Sequence, residues 1–133
     1  QYIKEASGDI NQMKEVIDQI PDVVVLSGDD GMTVQLMEIG GKGVISVISN
    51  LVPDRVVALT EAGLAGNFEE AKKIDAELAP LTEVAFIETN PIPIKTAMTL
   101  KGLSGGSFRL PMCDMEPENK EKLQETMDKM GLL

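Results

Sequence analysis

A lysine near the start of the chain is the strongest candidate for chemistry. Lys4 follows Tyr2 and Ile3, which begin like a buried strand, and residues 7–9 (SGD) end that strand. Lys4 is therefore predicted near the carboxyl end of a strand, where α/β barrels carry out their chemistry. A lysine there, with a buried stem and a desolvated amine, can lose its proton near neutral pH and attack a carbonyl to form a Schiff base. The alternative is that Lys4 is one of several solvated lysines.

Three other features could support chemistry, and each also has a structural interpretation. Asp29 and Asp30 could bind a divalent cation, but no further carboxylate lies at an obvious spacing, so helix capping is favoured. Residues 40–43 (GGKG) resemble a phosphate loop without its full spacing or its Ser/Thr, which favours a helix-to-strand turn. Cys113 has no histidine to activate it, which argues against a catalytic thiol.

Composition excludes several classes of function. The 133 residues carry a net charge of −10, which argues against binding to nucleic acid or to an anionic membrane surface. The chain has no histidine, so histidine metal sites and histidine-based triads are excluded. Its single cysteine cannot form a disulfide within the chain, and no signal peptide or membrane-length apolar run is visible. We therefore expect a cytoplasmic protein.

The first half of the chain alternates strands and helices. Asp9 is predicted to cap a helix over residues 10–20, with Gln12 at capping-box spacing. A buried strand is predicted over 23–26, a short helix over 32–39 and a third strand over 43–50. A further helix begins near Pro53 and ends near Gly66. This order predicts an α/β fold with a parallel sheet and right-handed crossovers.

Beyond Gly66 the pattern is helical. Asn67 is predicted to cap a long helix that Pro80 bends. Residues 90–93 (NPIP) read as a rigid extended segment before a helix over 94–101, and Pro117 opens the last helix. The chain is therefore predicted to have two domains, residues 1–65 and 66–133.

Six stretches together resemble the C-terminal half of the dihydrodipicolinate synthase family, which belongs to a wider group of Schiff-base aldolases that includes N-acetylneuraminate lyase. They occur in the family's order and are residues 3–8 (IKEASG), 26–30 (LSGDD), 40–46 (GGKGVIS), 90–95 (NPIPIK), 109–111 (RLP) and 131–133 (GLL). The LSGDD and NPIPIK stretches fit the synthases better than the lyases. The resemblance extends over essentially the whole chain.

The resemblance implies a fold and an activity. Residues 1–65 would be the last three β/α units of a (β/α)8 TIM barrel, and residues 66–133 a C-terminal all-helical domain. The family condenses pyruvate with aspartate semialdehyde in lysine (diaminopimelate) biosynthesis and usually forms a tetramer. Lys4 would be the catalytic lysine that forms the Schiff base, and Gly28 and Ile45 would place their backbones against pyruvate. No metal or organic cofactor is expected, because the protonated imine is itself the electron sink.

The chain also departs from the family. The first five β/α units are missing, and with them a threonine pair and a tyrosine that shuttle protons, an arginine that binds the aldehyde substrate, and an allosteric lysine site. Tyr2 does not match the family's tyrosine. Gln1 enters a strand at once, as in a fragment, a processed piece or an engineered piece of a longer protein. We expect weak activity alone, and pairing with the missing half or self-association through open strands.

Two alternatives stay open. The chain could be an inactive half-barrel that serves only structure or assembly, or it could be part of another pyruvate-dependent lyase or aldolase.

Overall fold

A computed structural model describes the whole chain, residues 1–133. It contains two strands and six helices, with one short 3₁₀ turn at Asp30–Met32 and another at Ile48–Asn50. The strands are β1 (Tyr2–Glu5) and β2 (Val24–Ser27); the helices are α1 (Ile10–Gln19), α2 (Thr33–Glu38), α3 (Pro53–Leu64), α4 (Phe68–Ala85), α5 (Ile92–Leu100) and α6 (Pro117–Lys129). The chain forms two compact units, Gln1–Glu77 and Leu78–Leu133.

The two strands of the first unit pair in parallel. Lys4 lies opposite Leu26, and Glu5 lies opposite Ser27. Helix α1 connects the strands, as the alternating pattern predicts. Because the strands run in the same direction, their carboxyl ends meet at one edge of the sheet, and the loops that follow them lie side by side.

The predicted third strand is much shorter than expected. The sequence predicts a strand over residues 43–50, whereas the structure has one parallel bridge between Ser27 and Val44. The N–H of Ile45 donates to the Ser27 carbonyl at 2.8 Å, and the chain then turns into Ile48–Asn50. The prediction is therefore correct in position and wrong in length.

Asp30 explains where this third segment ends. Its Oδ2 accepts the N–H groups of Val47 and Ile48 at 2.8 and 3.3 Å. These two amides are thereby drawn towards the loop that follows β2 and cannot continue a ladder along a strand. A β-branched run thus adopts a turn because a buried carboxylate, which is remote in sequence, binds its backbone.

Both predicted helix caps are present. Asp9 Oδ1 accepts the N–H of Asn11 at 2.9 Å at the start of α1. Asn67 Oδ1 accepts the N–H of Glu70 at 3.3 Å at the start of α4. Each cap provides a partner for an amide that the first helical turn leaves unpaired.

Apolar residues from β2, α1 and α2 form a core cluster in the first unit. Met13, Val25 and Leu36 are at most 1% exposed. The partly buried residues around them are Ile10, Val16, Ile17, Val23, Met32 and Ile39. The helices thus cover one face of the small sheet, as in a β/α layer.

The second unit is helical. In α6, Leu123 and Met127 are fully buried. Helix α5 begins at Ile92 rather than at residue 94. Pro93 is tolerated in its first turn, because N–H groups there have no carbonyl partner within the helix and proline lacks only that group. No helix of the structure is long and apolar enough to cross a bilayer.

The division of the chain lies further along than the predicted boundary after residue 65. Residue 65 closes α3, whereas the two compact units divide between Glu77 and Leu78, inside α4. Pro80 lies inside α4 without ending it.

Candidate active site

The three residues assigned to pyruvate chemistry lie at the carboxyl edge of the sheet. Lys4 is in the second half of β1, Gly28 directly follows β2, and Ile45 directly follows the bridge at Val44. Parallel pairing places these segments side by side, although they are far apart in sequence. The fold therefore brings together residues that the sequence separates by up to 41 positions (45 − 4).

Gly28 lies directly against the Lys4 side chain. A Cβ atom at Gly28 would lie 2.8 Å from Lys4 Cε and 2.5 Å from Ala6 Cβ. Both distances are shorter than real Cβ contacts allow, so a side chain here would displace the lysine. The Gly28 N–H also donates to the Glu5 carbonyl at 2.6 Å. A glycine at this position leaves room for the lysine stem above the sheet edge.

Ile45 contributes its backbone to this edge. Its N–H donates to the Ser27 carbonyl, which fixes the peptide next to Gly28. Its side chain is 47% exposed, so it is not held in the core of this unit. The position fits a backbone contact to a small ligand, which is the role that the resemblance implies for it.

The Lys4 side chain is exposed, as the alternative of a solvated lysine has it. In the two-stranded sheet, β1 pairs with β2 on one side and has no strand on its other side. The strand places the lysine, whereas its solvation depends on what lies beyond the free edge of β1.

The two aspartates after β2 bind backbone amides. Asp29 Oδ1 accepts the N–H of Gly31 at 2.9 Å, and Asp30 holds the turn that begins after Val47. Asp30 is 6% exposed. The structure therefore supports the capping interpretation of this pair. No cluster of three or more potential metal-binding side chains is present in the chain.

Glu5 is a buried acidic residue at this edge that the sequence argument did not identify. It is 7% exposed, and its Oε1 accepts the N–H of Ser7 and the amide Nε2 of Gln12, each at 3.0 Å. Gln12 had been predicted to complete a capping box with Asp9, and it reaches Glu5 instead. The signal in the sequence for this contact was Glu5 itself, a charged residue on the side of the strand that faces a helix, where charged side chains are buried only when they are paired.

The NPIPIK stretch lies in the second unit, and its lysine is bound to a loop. Lys95 Nζ donates to the Ser107 carbonyl at 2.6 Å and lies 4.8 Å from the centroid of the Phe108 ring. Gly105 packs tightly there, because a Cβ atom on it would collide with Lys95 and Thr99. The stretch therefore joins α5 to the loop before α6.

The chain is similar to known proteins over almost its whole length. The model of the dihydrodipicolinate synthetase family matches residues 2–130. The 4-hydroxy-tetrahydrodipicolinate synthase of Methanococcus vannielii is 49% identical over 131 residues, which cover 98% of this chain and 45% of that protein. The chain therefore spans somewhat less than half the length of this relative.

Solved structures are similar over the same extent. The crystal structure of dihydrodipicolinate synthase from Aquifex aeolicus matches with a TM-score of 0.96 at 42% identity, covering 98% of this chain and 45% of that one. The chloride-inhibited dihydrodipicolinate synthase from Acinetobacter baumannii, solved as a complex with pyruvate, matches with a TM-score of 0.93 at 32% identity, again over 98% and 45% of the two chains. The backbone described above is thus similar to part of the backbone of these enzymes.

Proposed function

This chain belongs to the dihydrodipicolinate synthetase family, and we propose that it supplies the nucleophile of an enzyme that condenses pyruvate with aspartate semialdehyde. Lys4 forms the Schiff base, and the backbones at Gly28 and Ile45 lie against the bound pyruvate. The observation that carries the proposal is the contact between Lys4 and Gly28, where no side chain larger than hydrogen fits. Pyruvate bound to the relative from Acinetobacter baumannii supports the choice of keto acid.

The chemistry follows from the lysine amine. The unprotonated amine attacks the carbonyl carbon of pyruvate to give a carbinolamine, whose hydroxyl takes up a proton and leaves as water, so that a protonated imine remains. The imine draws electrons from the neighbouring methyl group, which can lose a proton to give an enamine. The enamine carbon then forms a bond to the aldehyde carbon of the second substrate. No metal or organic cofactor is needed for these steps, because the imine nitrogen accepts the electron pair.

Each of these steps requires proton transfers, and this edge of the sheet supplies few groups for them. The one tyrosine of the chain, Tyr2, is 76% exposed at the start of β1. Glu5 and Asp30 are committed to hydrogen bonds with backbone or amide groups. We therefore expect the 133 residues alone to form the imine slowly and to complete few turnovers.

The free strand edges indicate how the site is completed. β1 offers an unpaired edge beside Lys4, and Tyr2 at the start of this strand is an exposed apolar side chain. Unpaired parallel strands bind other strands readily. We propose that this edge pairs with the remaining part of the barrel or, without it, with a second copy of the chain. A tetramer and a cytoplasmic location are proposed for the complete enzyme.

Borohydride trapping tests the proposal. The chain is incubated with pyruvate and borohydride, alone and after co-expression with the N-terminal portion of the Methanococcus vannielii relative, and adducts are mapped by peptide mass spectrometry. We expect an adduct of pyruvate size on Lys4, stronger in the complemented sample. A Lys42→Gln variant is the matched control, since Lys42 is also exposed and lies just before the segment that bridges to β2.

The outcomes separate the candidate roles. No adduct in either sample would overturn the proposal and leave a chain that serves only structure or assembly. An adduct on Lys4 followed by turnover with an aldehyde other than aspartate semialdehyde would assign the chain to another pyruvate-dependent lyase or aldolase.

A further inference from the structure

Glu5 is the acidic residue at the carboxyl edge that the proposed reaction does not use. It directly follows Lys4 in β1, and successive residues of a strand point to opposite faces. Accordingly Lys4 is exposed, while Glu5 is buried towards α1. A carboxylate in such a place is unusual, because burial removes its hydration.

The side chain of Glu5 ties the end of β1 to two other segments. Its Oε1 accepts the backbone N–H of Ser7, in the turn after the strand, at 3.0 Å. The same oxygen accepts Nε2 of Gln12, in the first turns of α1, at 3.0 Å. Hydrogen bonds to a charged acceptor are stronger than neutral ones, so both segments are held firmly to the strand end.

The backbone of Glu5 makes a third connection. Its carbonyl accepts the N–H of Gly28 at 2.6 Å and lies 2.9 Å from the point where a Gly28 Cβ would stand. Glu5 thus links the loop after β1, the start of α1 and the loop that carries Gly28. Because Lys4 and Glu5 are joined by a peptide bond, a change in the backbone of Glu5 also moves Lys4.

The second oxygen of the Glu5 carboxylate argues against a role in stability alone. Oε2 is buried and has no hydrogen-bond partner in the structure. A buried unpaired oxygen disfavours the folded state, so a neutral side chain with one acceptor would serve the fold better. This unpaired oxygen belongs to the residue next to the proposed nucleophile, Lys4, rather than to a residue elsewhere in the core.

We propose that Glu5 is a positioning residue for Lys4, which keeps the amine at the Gly28 loop by holding the end of β1. This inference rests on the proposed function, since it concerns the lysine that forms the imine. The glutamate acts through the Oε1 hydrogen bonds and the strand end, and it does not touch the reacting atoms.

The test measures imine trapping as a function of pyruvate concentration in Glu5→Ala, Glu5→Gln and Gln12→Ala variants of the chain, complemented as above. Glu5→Gln keeps an oxygen acceptor for Ser7 and Gln12 and removes the charge. Glu15→Ala is the matched control, because Glu15 is exposed on α1. Amide hydrogen exchange of residues 5–9 is measured in parallel.

We expect Glu5→Ala to lower the trapping rate at saturating pyruvate by about tenfold or more, with the half-saturating concentration nearly unchanged. Glu5→Gln is expected to restore the rate to within about threefold, and Gln12→Ala to give an intermediate loss. Faster exchange of residues 5–9 accompanies each loss. Where Glu5→Ala does not fold, the Gln12→Ala variant carries the test.

Two results would overturn the inference. One is an unchanged trapping rate in Glu5→Ala or Gln12→Ala while residues 5–9 exchange faster, since the loop is then released without consequence for Lys4. The other is an equal loss in Glu5→Gln and Glu5→Ala, which assigns the effect to charge rather than to positioning. An absence of adduct in the unaltered chain overturns the proposed function and this inference together, whereas an adduct that Glu5 variants leave unchanged overturns only the inference.

Discussion

Two lysines of this chain lie beside tightly packed glycines, and their environments differ. Lys95 Nζ donates to the Ser107 carbonyl and lies over the Phe108 ring. Lys4 makes no ion pair, is exposed, and has Gly28 directly against its stem. One amine is bound to its own chain, and the other is left available at the end of a strand.

The difference shows what separates a structural lysine from a candidate nucleophile. An amine that donates its protons to a carbonyl and faces an aromatic ring is stabilised as a cation. An amine that must attack a carbonyl needs free access and a place for the substrate beside it. The glycine next to Lys95 packs against the backbone carbonyl of that lysine, whereas the glycine next to Lys4 packs against the side-chain stem of the lysine itself.

Replacing each lysine by methionine tests this contrast most strongly. We expect Lys4→Met to abolish the pyruvate adduct and to change the free energy of unfolding by less than about 0.5 kcal/mol, because the side chain is exposed. Lys95→Met should keep the adduct and lower the free energy of unfolding by about 1 kcal/mol. Borohydride trapping and urea unfolding measure the two effects, and a loss of adduct in both variants would remove the distinction.

Adding one methyl group beside each lysine separates packing from chemistry. Gly28→Ala and Gly105→Ala each force a collision, and neither glycine has a positive φ angle, so both should destabilise by about 1–3 kcal/mol. We expect only Gly28→Ala to slow adduct formation, by about tenfold. Trapping rates normalised to the folded fraction provide the measurement. Equal rates in the two variants would contradict a role for the space at Gly28.

Replacing Asp30 tests how far the stability of the fold around the carboxyl ends of the strands, where Lys4 lies, depends on a buried carboxylate. Asp30→Ala leaves the N–H groups of Val47 and Ile48 without their acceptor, so we expect a loss of about 2–3 kcal/mol in the free energy of unfolding. Asp22→Ala, at an exposed position, should change it by less than about 0.5 kcal/mol. Chemical denaturation compares the two. A small effect in Asp30→Ala would mean that water replaces the carboxylate.

The smallest expected effect concerns Asp75, an acidic residue of α4. Partial burial raises the pKa of Asp75 above its ordinary value of 3.8. The ionised form is therefore disfavoured in the folded state, and the penalty is complete above the raised pKa and disappears as the pH falls below 3.8. Asp75→Asn should raise the melting temperature slightly at pH 7 and not at pH 3. Thermal unfolding at both values checks this, and an equal shift at both would exclude titration as the cause.

Local patterns of the chain predicted most of its elements. The β-branched run before Ser27 became a strand, and the caps at Asp9 and Asn67 were located correctly because capping depends on a few neighbouring residues. Lys4 was identified because a strand end is visible in the sequence. These features arise from interactions within a few positions along the chain.

The errors arose where distant residues compete for the backbone. The third strand was predicted too long because its β-branched pattern says nothing of Asp30, which is 17 residues from Val47. Gln12 was assigned to Asp9 by spacing, but Glu5 lies closer in space. The sequence left the solvation of Lys4 open, because solvation depends on which strands flank β1 and a local pattern does not contain that information.

The sequence by itself determined the order of strands and helices, the lysine at the end of β1 and, through six matching stretches, the family. Tertiary structure alone decided that Gly28 faces Lys4, that Ile45 follows at the same edge, and that Glu5 and Asp30 hold the loops. The physical reason is the distance along the chain over which each kind of interaction acts. Propensity and capping act over one or two turns, whereas parallel pairing joins residues from separate β/α units, and only the folded backbone sets the distances between them.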